Sequence, residues 1–126
     1  MPSAAPIRIL IADDNKLIRS AIAALLSRQA NFQVCGEAAD AAQAMEKARE
    51  LQPDLILLDI SMPGANGLET ARALRQELPQ AKILIVSQHD SKHMLPSSLE
   101  AGAQGCIDKA RLAIDLLPTI RQILTA

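Results

Sequence analysis

The sequence predicts a doubly wound α/β fold, and three observations predict it. Short apolar or β-rich runs recur five times, segments with helical apolar spacing separate them, and Pro, Gly and Asp fall at the breaks. The five runs are Ile7 to Ala12, Phe32 to Glu37, Leu55 to Asp59, Lys82 to Ser87 and Gly105 to Asp108. In the first intervening segment Leu17, Ile18, Ala21, Ile22 and Leu25 repeat at helical spacing, and in the third Leu68, Ala71, Leu74 and Leu78 do the same, so both are read as helices packed on one face. Asp40 is placed to cap the second helix, Pro53 and Pro79 follow helix ends, and Gly102 stands where a left-handed residue closes a helix. Strict alternation with short connections implies parallel strands, right-handed crossovers and helices on both faces. The runs Leu-Ile-Leu-Leu at 55–58 and Ile-Leu-Ile-Val at 83–86 have no polar alternation, which suits central strands buried on both sides.

The chain has 126 residues, long enough to bury a core in one domain without metal or disulfide staples. Thirteen Lys and Arg against fourteen Asp and Glu leave a formal charge of -1, so no net field draws this segment to nucleic acid or to an anionic membrane. No apolar run approaches the roughly 18 residues of a spanning helix, and the protein reads as cytoplasmic. Cys35 and Cys106 lack a CxxC spacing and are read as small core hydrophobes. Residues 1–6 are expected to be disordered and residues 7–126 to form the domain.

Ligands of doubly wound sheets bind beyond the carboxyl ends of the strands, where strand order switches. Here those ends are polar: Asp13 and Asp14 follow the first strand, Asp59 ends the third, Ser87 ends the fourth and Lys109 follows the fifth. Singly, each has an ordinary explanation as a helix cap, a turn residue or a solvated loop cation. Jointly, they gather three carboxylates, a hydroxyl and an ammonium on one sheet edge. If strands one and three are neighbours, as in the flavodoxin-like order 2-1-3-4-5, the carboxylates crowd, and one lysine cannot neutralise three acids. Hard oxygen ligands with room for water favour Mg²⁺, which commonly bridges to phosphate oxygens. A carboxylate beside Mg²⁺ can attack a phosphoryl group while Lys109 and Ser87 bind its oxygens, so aspartyl phosphate chemistry uses every member.

Four stretches carry a resemblance to a known family: Ile-Leu-Ile-Ala-Asp-Asp-Asn at 9–15, Leu-Ile-Leu-Leu-Asp-Ile-Ser-Met-Pro-Gly-Ala-Asn-Gly-Leu-Glu at 55–69, Ile-Leu-Ile-Val-Ser at 83–87 and Glu-Ala-Gly-Ala-Gln-Gly-Cys-Ile-Asp-Lys at 100–109. In order and spacing, over residues 7–124, the chain resembles the chemotaxis-type receiver domain of response regulators, closest in wording to receivers that precede a LuxR-type helix-turn-helix. The resemblance implies a two-component signalling switch rather than a conventional enzyme, with self-catalysed phosphotransfer and dephosphorylation. Asp59 would accept the phosphoryl group from a sensor histidine kinase, a phosphotransfer protein or a small phosphodonor. It also implies that Asp14 ligates Mg²⁺ directly, Asp13 mainly through water, and Asp59 and the Ser61 backbone carbonyl complete the protein ligands. Ser87 and Lys109 would bind the phosphoryl oxygens and carry the signal to a face built from helix four, strand five and helix five. That face would control an effector, transcriptional if a LuxR-type domain follows, and is a possible homodimer contact.

The chain departs from the family pattern in several places. The aromatic expected three residues before the strand-five lysine is Cys106, and the one aromatic residue of the chain is Phe32, so the usual ring rotation has no ring. Gln88 replaces a small residue after Ser87, and with His89 and Ser61 it occupies positions that tune phosphorylation rates in the family. Ala110 follows Lys109 where the family often has proline. Pro96 and Pro118 fall in the expected fourth and fifth helices, and an interior proline costs about 3 kcal/mol. Helix four is therefore expected to be short or to begin near Pro96, leaving Lys92 to Leu95 in a loop, and helix five to begin near Asp115.

Two other functions compete. A phosphohydrolase with an aspartyl intermediate would carry a second Asp two residues after the nucleophile, where this chain has Ser61; GxxxxGK[ST] and GxGxxG loops are also missing. An atypical receiver acting as a phosphorylation-independent binding module is the other, suggested by Gln88, Cys106 and the two prolines.

Overall fold

The computed structural model describes residues 5–62, 66–88 and 91–125. Five strands alternate with helices: β1 Ile7–Ala12, α1 Lys16–Ser27, β2 Phe32–Ala38, α2 Ala41–Leu51, β3 Leu55–Asp59, α3 Gly67–Glu77, β4 Lys82–Ser87, α4 Ser91–Glu100, β5 Gly105–Asp108 and α5 Leu112–Thr125, with a 3₁₀ turn over Lys109–Arg111. All strand pairs are parallel in the order β2-β1-β3-β4-β5, so the flavodoxin-like topology holds. The strand boundaries agree with the apolar runs, except that β2 extends one residue further to Ala38.

Strand side chains alternate between two cores. Leu10, Ile56, Leu58, Ile83 and Ile85 pack with Ala44, Ala48, Ala71 and Leu74 of α2 and α3. Ile9, Ile11, Leu55, Leu57, Leu84 and Val86 pack with Ile22 and Leu26 of α1 and Leu112, Leu116 and Ile120 of α5. Covering both faces leaves every residue of β3 buried, as its unbroken apolar run requires.

The local signals act as expected at several breaks. Asp40 caps α2 by accepting from Gln43 N at 2.8 Å. Gly102, at φ 100°, closes α4 with a Schellman pair, Gly102 N to Leu99 O and Ala103 N to Ser98 O, both 3.0 Å. Gly67 opens α3 where a Cβ would stand 2.3 Å from the Ile60 Cα, so the β3–α3 loop closes on a residue without a side chain.

Four expectations are corrected. In α1, Leu17 is 79% exposed and Ala21 is exposed; the packed stripe is Ile18, Ile22, Leu25 and Leu26, because those positions point at the sheet. Helix α4 begins at Ser91, so Lys92 to Leu95 are helical and Pro96 lies inside it. Helix α5 begins at Leu112, three residues before Asp115, with Pro118 in its interior. Each proline withholds one N–H, toward Lys92 and Ile114 respectively, while in α5 the buried Leu112, Leu116, Ile120 and Ile123 each contribute roughly 1.5 to 3 kcal/mol, which outweighs the ~3 kcal/mol cost. In α4 the Ser98 hydroxyl, fully buried, donates to Met94 O at 2.7 Å, and the Schellman closure secures the far end. Cys35 and Cys106 are free and half-buried; Cys106 packs against the core, but Cys35 belongs to neither core cluster. They lie on β2 and β5, the two sheet edges. Among the described residues no helix is long and apolar enough to cross a membrane.

Candidate functional site

The strand order reverses at β1 and β3, and the acids lie at that point. Ala12 pairs with Leu58, so the next residues in each strand direction, Asp13 and Asp59, face each other across the switch. Asp13 and Asp59 are each 1% exposed, while Asp14 is exposed. One carboxylate oxygen from each of the three lies within 4.8 Å of the others. Lys109, in the 3₁₀ turn after β5, reaches back so that its Nζ stands 3.0 Å from Asp59 Oδ2 and 3.1 Å from Asp13 Oδ2. Its side chain is 12% exposed, so it is a buried bridge and not a loop cation, and Ala110 does not displace it.

The two buried carboxylates are each held in a definite orientation. The Asp59 Oδ1 accepts from Ser61 N at 2.9 Å and from Ser61 Oγ at 2.6 Å. Asp13 Oδ1 accepts from Asn15 N at 2.8 Å, and Asn15 itself caps α1 through Leu17 N and Ile18 N. The cap of α1 is therefore Asn15, which frees both aspartates for the site. Asp13 Oδ2 is buried and has only the ion pair to Lys109, outside hydrogen-bonding geometry. Burial pushes the Asp13 carboxyl above the usual carboxylate range, and the neighbouring Asp59 charge adds to this. Burial alone would lower the Lys109 ammonium, but its hydrogen bond to Asp59 and its ion pair with Asp13 hold it above its ordinary value.

A single ammonium against three carboxylates leaves the pocket with excess negative charge. Two like charges 4.8 Å apart repel by about 3.5 kcal/mol at an effective dielectric near 20. Hard oxygens, excess charge and a buried oxygen lacking a hydrogen bond fit a small divalent cation such as Mg²⁺.

The remaining expected residues fall around this centre. Ser87 ends β4, fully buried, one residue past Val86, the register partner of Asp59. Gln88 is exposed, and His89 lies outside the described residues. Cys106 lies on β5 and lines a groove of about 440 Å³ shared with Leu95, Thr119 and Ile123. Burial raises its thiol above the ordinary range. Sequence reasoning missed two residues that support the site from outside it. Asn15 was legible as a capping residue type after Asp-Asp; Arg19 carried no signal, because its guanidinium turns back from α1 to donate to the Asp13 carbonyl at 2.6 Å.

A doubly wound parallel sheet with buried acids and a bridging lysine at its switch point defines a class, the phosphoryl-receiving signalling domains. The model of the response regulator receiver domain matches residues 9–121, and the chain belongs to that family. It is 37% identical over 122 residues to the nitrate/nitrite response regulator protein NarL of Escherichia coli K12, covering 97% of this chain and 56% of that protein. It is 36% identical over 116 residues to the transcriptional activator protein ExaE of Pseudomonas putida, covering 92% and 54%. A LuxR-family two-component response regulator from Aurantimonas sp. SI85-9A1 superposes with a TM-score of 0.89 at 34% identity, covering 96% of this chain and 86% of that one. The chain thus spans about half the length of the curated relatives it matches.

Proposed function

We propose that this receiver takes its phosphoryl group on Asp59, with Asp13, Asp14, Asp59 and the Ser61 carbonyl holding Mg²⁺. The observation that carries the reading is the buried Asp59 carboxylate joined to Lys109 at 3.0 Å beside an underbonded Asp13 oxygen. When bound, the metal supplies charge neutralisation to the pocket and to the phosphoryl oxygens. An Asp59 oxygen attacks phosphorus; the O–P bond forms as the P–N bond of a donor phosphohistidine, or the P–O bond of acetyl phosphate, breaks. Lys109 exchanges its contact with Asp59 for a phosphoryl oxygen, and Ser87 donates a hydrogen bond to another. Ser61, already bonded to Asp59 Oδ1, keeps the carboxylate from rotating, while Gln88 and His89 tune access of donor and water.

The partner is a sensor histidine kinase or a phosphotransfer protein. Output runs through the face of α4, β5 and α5, and similarity to the transcriptional activator protein ExaE supports a transcriptional effector if a LuxR-type DNA-binding domain follows. The complete acid set favours this over a phosphorylation-independent binding module.

Intact mass after incubation with acetyl phosphate and Mg²⁺ tests the reading. The wild type gains one phosphoryl group and Asp59→Asn gains none. A wild type that never gains the group, with Mg²⁺ in excess, returns the binding-module reading to first place.

A further inference from the structure

We infer that Arg19 is a positioning residue for the acid pair, setting the Mg²⁺ affinity of the site without entering it; the inference rests on the metal reading above. Arg19 lies one turn into α1, where its backbone N–H makes the first helical bond to Asn15 O at 3.1 Å. Its side chain is 15% exposed and makes two directed contacts: Nη1 donates to the Asp13 carbonyl at 2.6 Å, and Nε donates to Glu37 Oε1 at 2.9 Å. Glu37 lies on β2, one residue before Ala38, whose carbonyl accepts the Asp13 N–H at 3.0 Å.

The Asp13 carbonyl belongs to the peptide that joins Asp13 to Asp14. Gripping that oxygen fixes the plane from which both acids depart. With Asp13 N held by Ala38 and Asp13 Oδ1 held by Asn15, the grip of Arg19 leaves Asp13 Oδ2 as the one oxygen turned, without a hydrogen bond, toward Lys109 and Asp59. Glu37 balances the guanidinium charge and aims it at the carbonyl, so Arg19 does not act as a second counter-cation in the pocket. A lysine cannot substitute, because two contacts at a fixed angle need the planar guanidinium.

Partners that orient metal ligands typically change affinity by 10–100-fold when removed. Mg²⁺ titrations followed by amide NMR shifts of Asn15 and Asp59 test this on wild type, Arg19→Met, Arg19→Lys and Glu37→Gln. Arg19→Met weakens Mg²⁺ binding about tenfold or more, Arg19→Lys weakens it nearly as much, and Glu37→Gln weakens it less. In phosphorylation by acetyl phosphate, the Mg²⁺ concentration at half-maximal rate rises while the rate at saturating Mg²⁺ is retained. Glu37 is exposed enough for its variant to fold even where Arg19→Met does not. Folded variants with wild-type Mg²⁺ affinity overturn the inference alone. A wild type that binds no Mg²⁺ overturns the metal reading as well.

Discussion

Asp13 shows how a crowded, underbonded carboxylate opposes folding. It is buried, faces Asp59 across the strand pair, and keeps one oxygen without a hydrogen bond. Fixing such a charge in a crowded pocket opposes folding, and a bound cation reverses the sign. Asp13→Asn is therefore expected to raise metal-free stability by on the order of 1 kcal/mol, a few degrees in melting temperature for a domain of this size. Mg²⁺ should raise the wild-type melting temperature, by about 2.7 kcal/mol of stabilisation at a hundredfold excess over Kd, and do little for the variant. Calorimetry with and without Mg²⁺ checks both halves. A destabilised Asp13→Asn would mean that its ion pair to Lys109 outweighs the crowding.

Among the helices, α4 and α5 handle the same problem with different means. The interior Pro118 of α5 is carried by four buried aliphatic side chains, whereas α4 leaves Leu95 and Leu99 38% and 50% exposed around Pro96. Its C-terminal turn is instead tied to α3: Arg75 Nε donates to Gly102 O at 3.1 Å, and Arg75 Nη2 to Gln104 Oε1 at 3.1 Å. Helix α4 is thus anchored at its end by polar contacts more than by apolar burial along its length. The start of α3 is constrained by contact instead. Gly67 presses on the Ile60 backbone beside Asp59 and Ser61, so Gly67→Ala must push that loop aside. Overpacking of this kind costs about 1–3 kcal/mol. Urea unfolding should show that loss, and the phosphorylation rate should fall with it, because the loop carries Ser61.

At the scale of the whole molecule, the sheet order sets what distant residues can do. Cys35 and Cys106 occupy strands at opposite edges, four spacings apart, or roughly 19 Å at about 4.8 Å each. No intramolecular disulfide can join them without unfolding. Burial also raises both thiols above the ordinary range. A thiol with a raised folded-state value stays protonated where the unfolded chain begins to ionise, so that contribution to stability is present below the unfolded value and is lost as pH rises through the folded one. Iodoacetamide should accordingly label the native protein more slowly than the urea-unfolded chain at mildly alkaline pH, with the gap narrowing as pH rises further. Equal rates in the two states would contradict the burial of both thiols.

By itself the sequence determined the five strands, the parallel order they imply and the collection of acids, hydroxyl and lysine at one edge. Apolar runs buried on both faces leave no alternative period, and polar residues that end such runs must fall at the sheet rim. The packed stripe of α1 was not legible, because Leu17 and Ala21 fit the helical spacing as well as the residues that face the sheet. Nor could local propensity reveal that α4 and α5 run through Pro96 and Pro118, since burial and closure at a distance outweigh one missing hydrogen bond. Only the tertiary structure decided that Lys109 bridges Asp59 and Asp13, that Asn15 rather than an aspartate caps α1, and that Arg19 grips the peptide between the two acids. Those contacts join residues from separate elements, and their geometry exists only once the sheet has brought the strand ends together.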